Sequence, residues 1–343
     1  MSIKNRAYNV LSFILPDKIK TKLFKYICSS IPVAFGVELT NICNAHCSFC
    51  AYDLQNRNKG IMNDHVFKKA IDEYSAIGGG SINLTPTVGD PLLDKDIINK
   101  IRYAISKDNI NNVWFYTNLI ALDNFDIDEL LTSGLTTLRI STCIKDRETY
   151  REIYGVDQYR RVLSNIVKIC EKNIRKNSPV KIKLYLKIPE QYEDILNSGD
   201  FKLISQYFNQ EDLYIKGYRY DSWSGNINES DLPSGQKFRK QNYDIKEEPC
   251  YELFRRIHVL YDGTVIFCAC RDLNAELKIG NIFEQRIIDI WRGEKLSLLR
   301  SNWMKGNIPK LCKGCERYYP VSAFYYKQRK NIVRCYLRYL FVR

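Results

Sequence analysis

The chain is predicted to be α/β: a partial (β/α)6 TIM-like barrel followed by a small C-terminal α+β domain. Three observations lead there. Apolar, β-rich runs alternate with helical patterns through most of the first 220 residues. A polar stretch rich in Gly, Ser, Pro and charge then intervenes, and the pattern after it changes to a hairpin and a helical run. Cysteines gather in two places, one after the first apolar run and one in the C-terminal part.

In order, Val33–Leu39, Ser81–Leu84, Asn112–Tyr116, Thr136–Ser141, Val180–Ile188 and Asp212–Gly217 read as strands. Asp64–Ile77, Asp94–Lys107, Asp126–Leu131, Arg147–Lys172 and Gln191–Tyr207 read as helices, several opened by an acidic or Asn cap. Strands separated by helices call for parallel pairing and right-handed crossovers, with chemistry on the loops at the carboxyl ends of the strands. Residues 226–249 read as a linker. Beyond it, Arg256–Leu260 and Val265–Cys268 flank an Asp262-Gly263 turn, the pattern of a β-hairpin. Arg286–Met304 reads as helical. The divisions are therefore residues 1–32, a barrel over 33–225, the linker, a second domain over 250–325 and a tail over 326–343.

A chain of 343 residues with 45% hydrophobic and 27% charged residues is long enough for a sizeable core. The net charge of +13 would fit a nucleic-acid partner if it ran through the body, but it does not. Residues 1–30 carry +5 and residues 317–343 carry +7, leaving +1 between. The run Tyr8–Leu15 is too short to span a bilayer and lacks a cleavage site, so no export signal is read and a cytoplasmic location is expected. Twelve cysteines in that setting point to metal or redox work rather than disulfides.

The first cysteine group is ELTNICNAHCSFCAY, Glu38–Tyr52, with Cys43, Cys47 and Cys50 on one loop after the first predicted strand. Three thiolates can hold three irons of a 4Fe–4S cube and leave the fourth open, where clusters ordinarily use four cysteines. A small molecule is expected at the vacancy. Zinc on these thiols and His46 is the competing reading, but His46 abuts Cys47 and the spacing is unlike common zinc patterns.

This loop resembles the cluster loop of radical S-adenosylmethionine enzymes. The resemblance implies that S-adenosylmethionine chelates the open iron and that its one-electron cleavage yields a 5′-deoxyadenosyl radical able to take hydrogen from an unactivated carbon. Such chemistry needs no central acid or base, which suits a chain with three histidines. Gly89-Asp90-Pro91 resembles the family's methionine-binding Gly-Gly-Glu-Pro segment, with Asp90 in place of Glu. Asn118, after the third strand, resembles part of a Thr-Asn-Gly segment, Ser141 the serine facing the ribose, and Phe49 the aromatic beside the adenine. An electron donor such as flavodoxin or ferredoxin is implied.

Cys250, Cys268, Cys312 and Cys315, with DGTVIFC and LCKGC around them, resemble the SPASM/twitch auxiliary domain and imply a second 4Fe–4S cluster. Cys270 is an alternative ligand to Cys268. Cys28, Cys170 and Cys335 read as ordinary thiols.

The twitch form resembles enzymes of sugars and aminocyclitols, so the expected substrate is carbohydrate-like, nucleotide- or lipid-linked glycans included, undergoing dehydrogenation, epimerisation or deoxygenation. Arg219, Asp221 and Trp223 are candidates to grip it. Cys143, near the expected radical, is a candidate hydrogen-atom donor in an epimerisation. The rivals are a peptide-maturing enzyme of the same superfamily and a zinc-binding nucleic-acid adaptor. Both ends mix Lys or Arg with apolar residues at helical spacing, so peripheral contact with an anionic inner membrane face is a further expectation.

Overall fold

The computed structural model describes residues 30–187, 193–215, 220–233, 237–238 and 245–328, with Pro16, Ile19, Lys22 and Cys28. Arg219, Cys335, most of residues 1–32 and the tail over 329–343 lie outside the described residues, so the substrate role of Arg219 and the amphipathic ends are left as expectations. Where the chain beside the ends is described, Cys28 and Ile31 pack with Phe324 and Tyr325 in a small cluster of their own. Among the described residues, no helix is long and apolar enough to cross a membrane.

Six parallel strands run in sequence order: β1 (Ala34–Val37), β2 (Gly80–Asn83), β3 (Ile110–Thr117), β4 (Thr137–Thr142), β5 (Lys181–Leu186) and β6 (Leu213–Tyr214). Helices α1 (Asp64–Ala76), α2 (Ile97–Ile105), α3 (Ile127–Thr132), α4 (Arg147–Tyr154), α5 (Tyr159–Arg175), α6 (Glu193–Asn197) and α7 (Gly199–Ser205) follow the strands. The barrel is open, as the sequence predicts. Alternation decides the faces: Val113, Phe115, Leu138, Ile140 and Leu184 are fully buried in one core with the apolar sides of the helices. Each such side chain contributes about 1.5–3 kcal/mol of transfer free energy. The residues between them face the barrel interior.

Caps set the helix starts. Asn63 accepts from Val66 N at 2.9 Å, Asp126 from Asp128 N at 2.7 Å, and Asp146 from Thr149 N at 2.7 Å. The helix expected from Asp94 begins only at Ile97, because the Asp94 carboxylate is drawn to buried Lys100 Nζ at 2.5 Å.

Two expected helices are each broken by glycine. Arg147–Lys172 becomes α4 and α5, because Gly155 ends α4 in the left-handed region at φ 66°. Arg286–Met304 becomes α8 (Ile287–Arg292) and α9 (Glu294–Met304), divided at Gly293.

The second unit extends the same sheet. β7 (Arg256–Val259) pairs parallel with β1, and β8 (Thr264–Ile266) and β9 (Lys278–Asn281) follow antiparallel, giving nine strands in the order β6-β5-β4-β3-β2-β1-β7-β8-β9. The hairpin is the predicted one, but its attachment to β1 is not legible from local pattern. Short helices α10 (Lys310–Lys313) and α11 (Val321–Gln328) complete it. Residues 226–249, expected as a linker, are not a free tether where described: Ile227, Leu232 and Lys246 are buried.

Candidate functional site

The three loop cysteines follow β1 and sit at the carboxyl ends of the strands. What positions the loop is the end of α4. His46 N donates to Tyr154 O at 2.9 Å and Ser48 N to Ile153 O at 3.0 Å, so two carbonyls left over at the helix C-terminus accept from loop amides. From the other side, Trp223 Nε1 donates to Phe49 O at 2.8 Å. Asn41 ties the loop's start to its return, donating to Gln55 Oε1 and Asn58 O at 2.9 Å.

Cys43, Cys47 and Cys50 are part-buried and unbridged. Burial pushes all three thiols up, Cys50 to about 11, and at Cys47 the charges of Cys50 and Cys43 add to it. Three thiolates gathered in a desolvated pocket need a cationic body between them, and an iron–sulfur cube is a donor-matched one. The His46 ring is turned instead to Asp53, Nδ1 to Oδ1 at 2.9 Å. Among the described residues no three His, Cys, Asp or Glu side chains surround a single ion.

The other predicted cofactor contacts converge on this loop. Asp90 N donates to Ile42 O at 2.8 Å, and a Cβ added at Gly89 would lie 2.8 Å from Thr40 O. The Gly89-Asp90-Pro91 backbone thus passes directly over the loop, a closeness that only glycine permits. The Asp90 carboxylate is committed inside the protein: it accepts from Asn118 N at 2.7 Å, Thr117 Oγ1 at 2.9 Å and Leu92 N at 3.0 Å, and is 2% exposed. It fastens the end of β3, and Asn118 Nδ2 donates to Asn44 Oδ1 at 2.8 Å. Ser141 lies on the inner face of β4, opposite Tyr185 of β5. The Phe49 ring is edge-on to Tyr154 at 5.8 Å.

Asp221 and Trp223 are placed at the seam of the two units. Asp221, 3% exposed, pairs with Arg271 and with Arg317 at 3.0 Å. Burial opposes its charge, but the two guanidinium groups overcome this and hold its carboxyl below the ordinary range. Arg271 also lies 4.3 Å over the Trp223 ring. Cys143 is 1% exposed within the core.

Sequence reasoning missed two lysines. Lys187, just after β5, stands 5.8 Å over the Phe49 ring, and the cost of desolvating its ammonium, with Arg317 nearby, lowers it to about 7. Lys246 is buried and donates to three carbonyls of the second cysteine group, Lys313 O at 2.6 Å, Cys312 O at 2.9 Å and Cys315 O at 3.0 Å. A lysine in a polar stretch reads as solvated, so no local signal marks it.

In that group, Cys250, Cys268, Cys312 and Cys315 come together beside the β7–β8 hairpin: Cys250 and Cys312 feel the charge of Cys315, Cys268 that of Cys250, and Cys315 that of Cys270. Cys270 shares a hydrogen bond with Cys268 and lies 3.9 Å from Glu252 Oε1. The donor set again fits an iron–sulfur cube, with Cys270 as a fifth thiol beside it.

Lys246→Met is expected to remove the donor from one buried and two part-buried carbonyls, a loss of about 2–4 kcal/mol local to this group. Iron at the second site should fall by roughly tenfold in affinity or more, with the loop site retained. Full iron content in the purified variant would show that the Cys312–Cys315 turn holds itself.

The chain matches the radical SAM superfamily over residues 37–201 and the iron–sulfur cluster-binding domain SPASM over residues 250–316. It is 26% identical over 163 residues to a probable GTP 3′,8-cyclase of Sulfurisphaera tokodaii, a match covering 47% of this chain and 50% of that protein. The chain thus spans about half the length of the curated relatives it matches. Among solved structures, it is similar to BtrN in complex with AdoMet and 2-DOIA, with TM-score 0.53 and 18% identity over 84% of this chain and 97% of BtrN. It is also similar to Streptococcus suis SuiB bound to S-adenosylmethionine, with TM-score 0.56 and 18% identity over 86% of this chain and 74% of SuiB. At such identities the structural likeness speaks to the fold alone. With one thiol group inside each matched stretch, the chain belongs to the radical S-adenosylmethionine superfamily and carries a C-terminal iron–sulfur cluster-binding SPASM domain.

Proposed function

We propose that this enzyme abstracts hydrogen from a carbohydrate-like small molecule or glycan, leading to dehydrogenation, epimerisation or deoxygenation. The observation that carries the reading is the inner face of the barrel. Where a closed barrel of this class fills its interior with branched apolar side chains, this one presents Ser81, Asn83, Asn112, Arg139, Ser141 and Lys183, all part-exposed. Such a polar face, shared with the part-exposed rings of Trp114, Tyr116 and Tyr185, suits a polyhydroxylated molecule. The likeness to BtrN, solved with 2-DOIA, supports a small-molecule substrate. SuiB, also solved with a precursor peptide, favours the rival reading of peptide maturation.

When bound, the reduced loop cluster and S-adenosylmethionine supply one-electron cleavage and hydrogen abstraction. The chain's own part is to hold and enclose them. Cys43, Cys47 and Cys50 are the ligands of the loop cluster, and Cys250, Cys268, Cys312 and Cys315 those of the second. The backbone at Gly89 and Pro91, with Asn118, Ser141 and Phe49, forms the cofactor's cradle. Asp221 and Trp223 shape the mouth by holding Arg271 and the Phe49 carbonyl. Flavodoxin or ferredoxin is the proposed reductant, and contact of the basic ends with an anionic membrane belongs to the same reading.

Burial pushes the Cys143 thiol up to about 12, so it stays neutral at physiological pH, the form that can give a hydrogen atom. The test is anoxic incubation of reduced enzyme and S-adenosylmethionine with nucleotide sugars, aminocyclitols or candidate precursor peptides, following 5′-deoxyadenosine. Consumption stimulated by a peptide and by no sugar or cyclitol would replace the carbohydrate reading. In deuterated water an epimerised product should carry solvent deuterium, and a product without it would remove Cys143 from the donor role.

A further inference from the structure

The inner face of β3 to β6 holds an aromatic row with one guanidinium set into it. Arg139 lies 3.9 Å over the Trp114 ring and 5.2 Å from the Tyr116 ring. Tyr116 meets Tyr185 at 5.0 Å, and Tyr185 stacks on Tyr214 at 4.0 Å with the planes 7° apart. The row ends at the open edge of the sheet, where Tyr214 is 41% exposed.

Among the described residues, Arg139 lacks a counter-charge. Its hydrogen bond to Tyr116 Oη is long, 3.3 Å from Nη1, and its Nε is buried without a partner. Among the described residues no carboxylate reaches it. The neighbouring cation Lys183 pairs with Asp212 at 3.4 Å, and the inward positions of β3, β4 and β5 bring no acid. A part-buried guanidinium ordinarily meets a carboxylate or phosphate through its fork of donors, and a buried donor left unmade is costly. Rings cover its flat face here, so the donors that remain are those along its edge, which match an anion.

We infer that Arg139 holds an anionic group of the substrate while a planar ring of the same molecule lies against Tyr116, Tyr185 and Tyr214, so that the substrate class is a nucleoside phosphate, nucleotide-linked sugars included. The inference rests on the barrel interior being the substrate chamber. A bare phosphate leaves the aromatic row unused, and a neutral sugar leaves Arg139 uncompensated. A nucleoside phosphate satisfies both, because nucleobases stack on aromatic side chains with little regard to their identity.

The test is titration calorimetry of the full chain with both clusters reconstituted, using UDP and GDP, then uridine and pyrophosphate. UDP or GDP should bind, with uridine and pyrophosphate each at least roughly tenfold weaker. Arg139→Gln should weaken the nucleotide at least roughly tenfold while its iron content and thermal melting match the parent. Tyr214→Ala, at the exposed edge where folding tolerates it, should weaken the nucleotide and leave pyrophosphate unchanged. Pyrophosphate binding as tightly as UDP, or nucleotide binding indifferent to both substitutions, overturns the inference. A parent protein that cleaves S-adenosylmethionine but ignores both nucleotides overturns this inference alone. One that binds them without ever cleaving S-adenosylmethionine overturns the proposed activity and leaves the site standing.

Discussion

Replacing Cys43, Cys47 or Cys50 with Ala is expected to abolish S-adenosylmethionine cleavage, by at least about 1,000-fold, which corresponds to about 4 kcal/mol of barrel-top transition-state stabilisation. The three thiols are the proposed protein ligands of the loop site, and they lie in a pocket that desolvates each of them. Removing one leaves two irons' worth of protein ligands for a cube that clusters of this type bind through four positions. The second site reads out independently. Cys312→Ala should drop iron from about eight to about four per chain and leave the loop site's spectrum intact, because Cys312 is packed with the β7–β8 unit and held through Lys246. Loss of every iron in Cys312→Ala would contradict two separate sites. Retained cleavage in Cys47→Ala would contradict the ligand set itself.

Gly155→Ala is expected to have an effect out of proportion to one methyl group. At φ 66° an L-residue with a Cβ costs about 1–2 kcal/mol, and that Cβ would stand 2.4 Å from His46 O, a backbone atom of the cluster loop. Relief requires the α4 terminus and the loop to part, which breaks the His46 N to Tyr154 O and Ser48 N to Ile153 O bonds. Loop-site iron and S-adenosylmethionine cleavage should both fall at least roughly tenfold, with melting lowered by about 2–4 °C per kcal/mol lost. Gly306→Ala is the control. Gly306 has a similar positive φ of 83°, but nothing lies within 4 Å of the added Cβ, so it bears the backbone strain without the clash. Equal loss in both variants would assign the effect to strain, and normal loop iron in Gly155→Ala would show that α4 does not hold the loop.

How far the sequence is sufficient depends on how local each feature is. The order of strands and helices is written in periods of two and 3.6 residues, and caps such as Asn63, Asp126 and Asp146 act within three residues of themselves. The cofactor class is equally local, because three thiols on one short loop carry their geometry wherever the loop goes. The two glycine breaks, Gly155 and Gly293, were also present to be read, but an amphipathic pattern that continues across a glycine masks the change of direction. The remaining features are decided at long range. Trp223 meets the Phe49 carbonyl across 174 residues of sequence, and Arg271 meets Asp221 across 50, so side chains expected to grip a substrate also tie distant parts of the chain together. Lys246 finds its three carbonyls 66 to 69 residues away. The barrel interior is composed the same way: Trp114, Tyr116, Arg139, Tyr185 and Tyr214 each occupy an unremarkable alternating position, and parallel register alone lines them up. The sequence by itself determined the superfamily, the cofactor class and the order of the elements, since short motifs and local periodicity suffice for these. Only the tertiary structure decided what faces the chamber and what closes the seam, since those pairings exist only once the sheet has brought distant strands together.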